Sequence, residues 1–176
     1  MNLLMTPPMT TAIVDFGSLE LAFQDACSQP NSPEQATVSQ WLAVALQASG
    51  VEFAGELTLR LVDESESAEL NSRFRSRAGA TNVLSFPGLA RAPGLPSEVP
   101  QALGDIVICA PLVPPEAAER GVSEVAHWAH LVVHGMLHLL GYDHLQEDEQ
   151  QRMEQLEITA LAAIGFADPY NPEGSA

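Results

Sequence analysis

The run HGMLHLLGYDH, from His134 to His144, constrains this chain more than any other stretch. His134 and His138 stand four residues apart, and four residues of an α-helix turn through about 400°, so both side chains leave nearly one face and can meet one ion. Gly141 follows the apolar pair Leu139 and Leu140, where glycine's access to the left-handed conformation ends a helix most easily. The chain can then turn back, and His144 can close a third corner from outside the helix. Three neutral imidazoles suit one Zn²⁺ per chain and leave a fourth position for water or substrate, although Ni²⁺, Co²⁺ or Cu²⁺ would be accepted as well. The run matches the long zinc-protease pattern H-E-x-x-H-x-x-G-x-x-H except at Gly135, where that chemistry keeps its general base. A metal cage is therefore expected and peptide cleavage is not.

Two further histidines, His127 and His130, precede His134 by seven and four residues and continue the same helical stripe. They can form an outer ring that orients the ligands, or the wall of the same cleft; a direct metal role is the lesser alternative, because three histidine ligands already complete a catalytic site. Asp143 can accept a hydrogen bond from a ligand or carry a proton, or simply occupy the turn after Gly141.

Formal net charge is −16, and all seven basic residues are arginine. Such a surface repels nucleic acid at long range, and DNA is not an expected partner. Arg73, Arg75 and Arg77 nevertheless alternate within five residues. Arginine makes bidentate phosphate contacts, so the cluster is a candidate local phosphate clamp; the alternative is an exposed helix end whose cations face the C-terminal dipole. Cys27 and Cys109 belong to no C-x-x-C pair, which suits a reducing cytoplasm. No apolar run reaches the ~18 residues of a membrane span, and MNLLMTPPMT, interrupted by Pro7 and Pro8, is expected to be a loose lead-in and not a signal peptide.

Hydrophobic periodicity predicts a strand at Ala12 to Phe16, a helix from Pro33 to Ser49, and a half-buried strand from Glu56 to Asp63. It predicts a helix from Ser65 to Phe74, then apolar strands at Thr81 to Pro87 and Gly104 to Ala110 around a Pro-rich loop. Helices follow around Glu116 to Glu119, from Val122 to Leu140 and from Glu147 to Ile164. The expected class is α+β: a single domain spanning 1–176, with a small mixed sheet, a central metal-binding helix and flanking helices, and loose tails at 1–10 and 169–176.

The blocks LNSRFRSRAGATNVLSFP (Leu70 to Pro87), LGDIVIC (Leu103 to Cys109) and AHLVVHGMLHLLGYDH (Ala129 to His144) resemble the signature blocks of the bacterial YbeY family of rRNA maturation factors. The resemblance runs from about Glu56 to Pro169, including an E-x-x-x-M-E-x-L-E type stretch at Glu149 to Glu157 and a closing DPY. It implies a metal-dependent, single-strand-specific endoribonuclease acting on the 3′ end of small-subunit rRNA and in ribosome quality control, with single-stranded rRNA and the small subunit or a basic ribosomal protein as partners. It places metal ligands on His134, His138 and His144, and catalytic roles on Arg75, Arg77 and His134. Position 77 is often lysine in the family. Thr81, Asn82, Ser85 and Phe86 match the strand block and are expected to shape the cleft; Asn82 stands where the family often has aspartate, which removes an acid-base role there.

Overall fold

The computed structural model describes residues 19–89, 94, 96, 99–143 and 146–171. The elements follow the order β1 (Leu19–Asp25), α1 (Gln35–Ser49), β2 (Gly55–Val62), α2 (Glu64–Arg75), β3 (Val83–Pro87), β4 (Ala102–Cys109), a 3₁₀ turn (Ala110–Leu112), α3 (Val113–Arg120), α4 (Glu124–Leu139) and α5 (Glu147–Ala163). The strands form one sheet in the order β1-β2-β4-β3. β1 and β4 flank β2 in parallel, and β3 runs antiparallel to β4. The α+β class with a small mixed sheet is thus as expected.

β1 was not anticipated. Leu19, Leu21 and Phe23 alternate with Glu20, Ala22 and Gln24, which is a half-buried strand pattern, and its register against β2 runs from Leu19↔Gly55 to Asp25↔Leu61. The strand expected at Ala12 to Phe16 lies outside the described residues, as do 1–10, His144 and 172–176.

Side-chain alternation divides the sheet into two faces. Leu57, Leu59, Leu61, Ile106 and Ile108 join the main core with Trp41 and Leu42 of α1, Val132, Val133, Met136 and Leu137 of α4, and Met153 and Leu161 of α5. Val62, Leu84 and Val107 form a smaller cluster with Leu70 of α2 and Phe86. Each fully buried Leu, Ile or Met contributes about 1.5–3 kcal/mol, so α4, apolar on nearly every side, is fixed firmly between the sheet and α1, α3 and α5.

At Gly135 α4 lies close against the sheet. A Cβ added there would lie 2.9 Å from Cγ2 of Ile106, and the Gly135 carbonyl accepts a hydrogen bond from Ser85 Oγ at 3.2 Å. The glutamate that the zinc-protease pattern places at this position has no room beside β4.

Candidate metal centre

Helix α4 begins at Ser123, whose hydroxyl caps Ala126 N, and ends in a turn that Gly141 makes possible. Gly141 has φ +93°, Gly141 N donates to His138 O, and Tyr142 N donates to Leu137 O. The sequence reading of Gly141 is borne out. Between these ends the four helical histidines follow one another, with successive ring centroids 6.4, 6.2 and 4.5 Å apart from His127 to His138.

His134 and His138 are brought together: their Nε2 atoms face each other at 3.0 Å. The other ring nitrogen of His134, Nδ1, lies 2.6 Å from Oε1 of Glu157 on α5. Glu157 Oε2 also meets His130 Nε2 at 3.2 Å and accepts from the Tyr170 hydroxyl. The carboxylate is 0% exposed. Burial pushes its pKa up, but hydrogen bonds from His130 and His134, with the charge on those rings, outweigh burial and hold it at about 2. Burial, reinforced by Glu157, raises the Tyr170 phenol well above its ordinary value, so at neutral pH Tyr170 is a donor and Glu157 an anion. Nδ1 of His134 is therefore the donor to Glu157, and Nε2 is the ring nitrogen that faces His138. His130, His134 and Glu157 also place three ligand-type atoms within 4.8 Å of one another, a second grouping able to hold a cation.

His127 belongs to a neighbouring network. Its Nε2 lies 2.8 Å from Glu116 Oε2, which also accepts from Asn82 Nδ2 at 2.9 Å. Its Nδ1 is buried without a hydrogen-bond partner among the described residues. Burial lowers the His127 pKa, with Glu116 opposing the shift. His127 and His130 both line a cavity of about 290 Å³ beside Asn82, His134, Glu157 and Tyr170, a space separate from the cleft that His134 shares with His138, and His130 also grips the carboxylate that holds His134.

The arginine cluster divides. α2 ends at Arg75, Ser76 takes the left-handed conformation (φ 54°), and Arg77 N donates back to Asn71 O. Ser67 Oγ donates to Thr81 O and accepts from Thr81 N, and Asn71 Nδ2 donates to Gly79 O, which pins the returning loop. Arg75 and Arg77 consequently line one cleft of about 610 Å³ with Thr81, Ser85, His134, His138 and Asp143. Arg75 Nη2 donates to Ser85 O at 3.4 Å. Arg73 instead lies over the Phe74 ring at 5.1 Å. Phe86, expected to shape the cleft, packs edge-on against Phe74 on the other side of the sheet because its alternation on β3 sends it there.

Glu157, Tyr170 and Glu116 carried no role in the sequence reading. The available signal for Glu157 was an acid on an apolar helical stripe, since Met153, Glu157, Ala160 and Leu161 are all buried positions of α5. Tyr170 falls in the stretch expected to be a loose tail, and it is held instead: Tyr170 N donates to Asp168 Oδ1 and its ring meets His130 edge-on, with centroids 5.7 Å apart.

These observations define an α+β protein with a histidine-carboxylate cluster able to hold a metal ion, facing a cleft with cationic side chains. The family model described as Endoribonuclease YbeY matches residues 22–165. The chain is 53% identical over 152 residues to the endoribonuclease YbeY of Halorhodospira halophila, covering 86% of this chain and 96% of that protein. It is 50% identical to that of Nitrosococcus oceani, covering 87% and 97%, and 49% identical to that of Pseudomonas savastanoi pv. phaseolicola, covering 90% and 92%. The solution structure of TM1509 from Thermotoga maritima has a TM-score of 0.49 and 19% identity, covering 89% of this chain and 99% of that one. The chain belongs to the endoribonuclease YbeY family, enzymes that act on RNA.

Proposed function

We propose that this protein is a zinc-dependent, single-strand-specific endoribonuclease that acts in the cytoplasm on the 3′ end of 16S rRNA and in ribosome quality control. The observation that carries this reading is the cleft in which Arg75 and Arg77 share a wall with His134 and His138. A phosphodiester and a histidine-bound cation would meet in that space.

His134, His138 and His144 are the residues assigned to hold one Zn²⁺. The two described members fit: their imidazole nitrogens face each other at 3.0 Å, and the outer nitrogen of His134 is bound to a carboxylate, as ligating histidines usually are. When bound, the ion supplies Lewis acidity and a water of lowered pKa. Arg75 offers its planar fork to the non-bridging oxygens and stabilises the negative charge that develops there, while Ser85 O steadies its guanidinium. Arg77 adds a second cation on the same wall, and Asp143 lies on the cleft within the family's metal-binding block, able to accept a proton. Gly135 explains why peptide hydrolysis does not belong to this site.

The partner follows from charge. At −16 the protein is repelled by free RNA, so the small ribosomal subunit, or a basic ribosomal protein on it, supplies the affinity. No helix among the described residues is long and apolar enough to cross a membrane. Cleavage of a single-stranded rRNA fragment and of its duplex, by wild-type protein and by His138→Ala from parallel preparations, tests the reading. Wild-type protein should cut the single strand only and the variant neither. Equal cutting by the variant exposes a contaminating nuclease, and no cutting by either leaves a ribosome-binding protein with a structural metal.

A further inference from the structure

Glu157 is the most deeply engaged charge among the described residues. Three donors converge on it, two from α4 and one from the C-terminal segment: His134 Nδ1 on Oε1, and His130 Nε2 with the Tyr170 hydroxyl on Oε2. Both oxygens are occupied and the side chain is 0% exposed. A cation bound directly by Glu157, His130 and His134 would have to strip these donors from a fully buried carboxylate. Nε2 of His134, by contrast, faces His138 on the wide cleft that Arg75 lines. The two sides of the His134 ring are therefore unequal: one is bonded to a buried anion and the other faces the substrate space.

We propose that Glu157 is the positioning residue of the metal centre: it accepts the Nδ1–H hydrogen bond of His134, fixes that ring's tautomer and plane, and is itself held by His130 and Tyr170. This rests on the reading that His134, His138 and His144 hold the ion. α5 and the segment ending in Tyr170 thereby become part of the centre although neither supplies a ligand. Tyr170 ties the chain after α5 to the ring that must not rotate, since Asp168 Oδ1 holds the Tyr170 backbone and the phenol reaches Glu157.

The test uses the full-length protein with Glu157→Gln, Glu157→Ala, Tyr170→Phe and, as a control on an exposed position of the same helix, Thr159→Ala. Zinc affinity is read by chelator competition and the coordination sphere by the visible spectrum of the Co²⁺ form. Loss of an orienting partner weakens metal binding by about 10–100-fold. Glu157→Ala should fall in that range with a changed Co²⁺ spectrum. Glu157→Gln, which keeps an acceptor of nearly the same volume and guards against a variant that fails to fold, should lose less while still binding one equivalent. Tyr170→Phe should show a smaller loss and Thr159→Ala none.

Wild-type affinity and spectrum in both Glu157 variants would overturn the inference and leave the metal reading standing. Loss of stoichiometric binding in Glu157→Gln, with a full equivalent retained by His138→Ala, would make Glu157 a ligand and overturn it as well. Absence of metal binding by the wild-type chain would overturn the metal reading and this inference together.

Discussion

At the scale of single residues, the site depends on where one guanidinium and one glycine are placed. Arg75 lies in the last turn of α2, and both readings of the arginine cluster meet in it: it faces the helix C-terminus and also lines the cleft. If its guanidinium acts on the developing charge, Arg75→Ala should keep metal content and melting temperature while lowering turnover at saturating RNA by about 10²–10³-fold, the usual cost of removing one such donor. Arg75→Lys should recover little, because a point charge lacks the fork; undiminished turnover in Arg75→Ala would remove the residue from the mechanism. Gly135 carries the opposite kind of information, a constraint on space. Ile106 stands 2.9 Å from where its Cβ would be, so Gly135→Glu should yield no peptidase and should lower stability by at least the ~1–3 kcal/mol typical of overpacked cores, as read by chemical denaturation.

At the scale of elements, the sequence made α4 legible for a simple reason. Histidine spacing, the apolar pair before Gly141 and the helix stop all concern local backbone geometry, and each is found as expected. α2, β2 and β4 were legible from periodicity alone. β1 was missed because a short edge strand is defined by its partner β2, thirty-six residues away in register, and AIVDF offered a more apolar local competitor. Glu157 was missed for the same physical reason: its role exists only once α5 lies across α4. The packing of α3 on α4 gives a pH prediction. His127 is buried and its pKa is lowered, so the unfolded chain takes up a proton that the folded chain refuses. Its stabilising effect is complete above the ordinary histidine value and is lost as pH falls through the lower folded value. In metal-free protein, stability should fall as pH drops below about 6.5 towards the lower folded value, with a slope of up to ~1.4 kcal/mol per pH unit from this group. His127→Gln, which keeps a donor for Glu116, should flatten that slope by one proton; identical pH profiles would show that burial of His127 has no such effect. Glu157 acts in a separate window, because its pKa is depressed: its contribution is present above the ordinary carboxylate value and is lost as pH falls towards about 2.

At the scale of the whole molecule, a strongly acidic protein must act on a polyanion through a small basic opening. Arg73 stacks on Phe74, which leaves Arg75 and Arg77 as the cluster's contribution to the cleft. Neutralising two phosphates gives a salt slope of roughly −0.7 each on single-stranded RNA, about −1.4 in all. Binding to free RNA near physiological salt should therefore be weak and shallow in its salt dependence, and association with small subunits or their precursors much tighter. Nanomolar affinity for isolated RNA in a fluorescence titration, or no co-sedimentation with subunits at any stage of assembly, would count against recruitment by the ribosome. The central claim is that one ion on His134, His138 and His144, opposite Arg75, cuts single-stranded RNA. Its most direct test is titration of Zn²⁺ into chelator-stripped protein while cleavage of a single-stranded rRNA fragment is followed. Activity should rise in proportion to added metal and stop at one equivalent, with His138→Ala at baseline throughout; full activity in the stripped protein, or equal activity in His138→Ala, would rule out a histidine-held ion as the cutting centre.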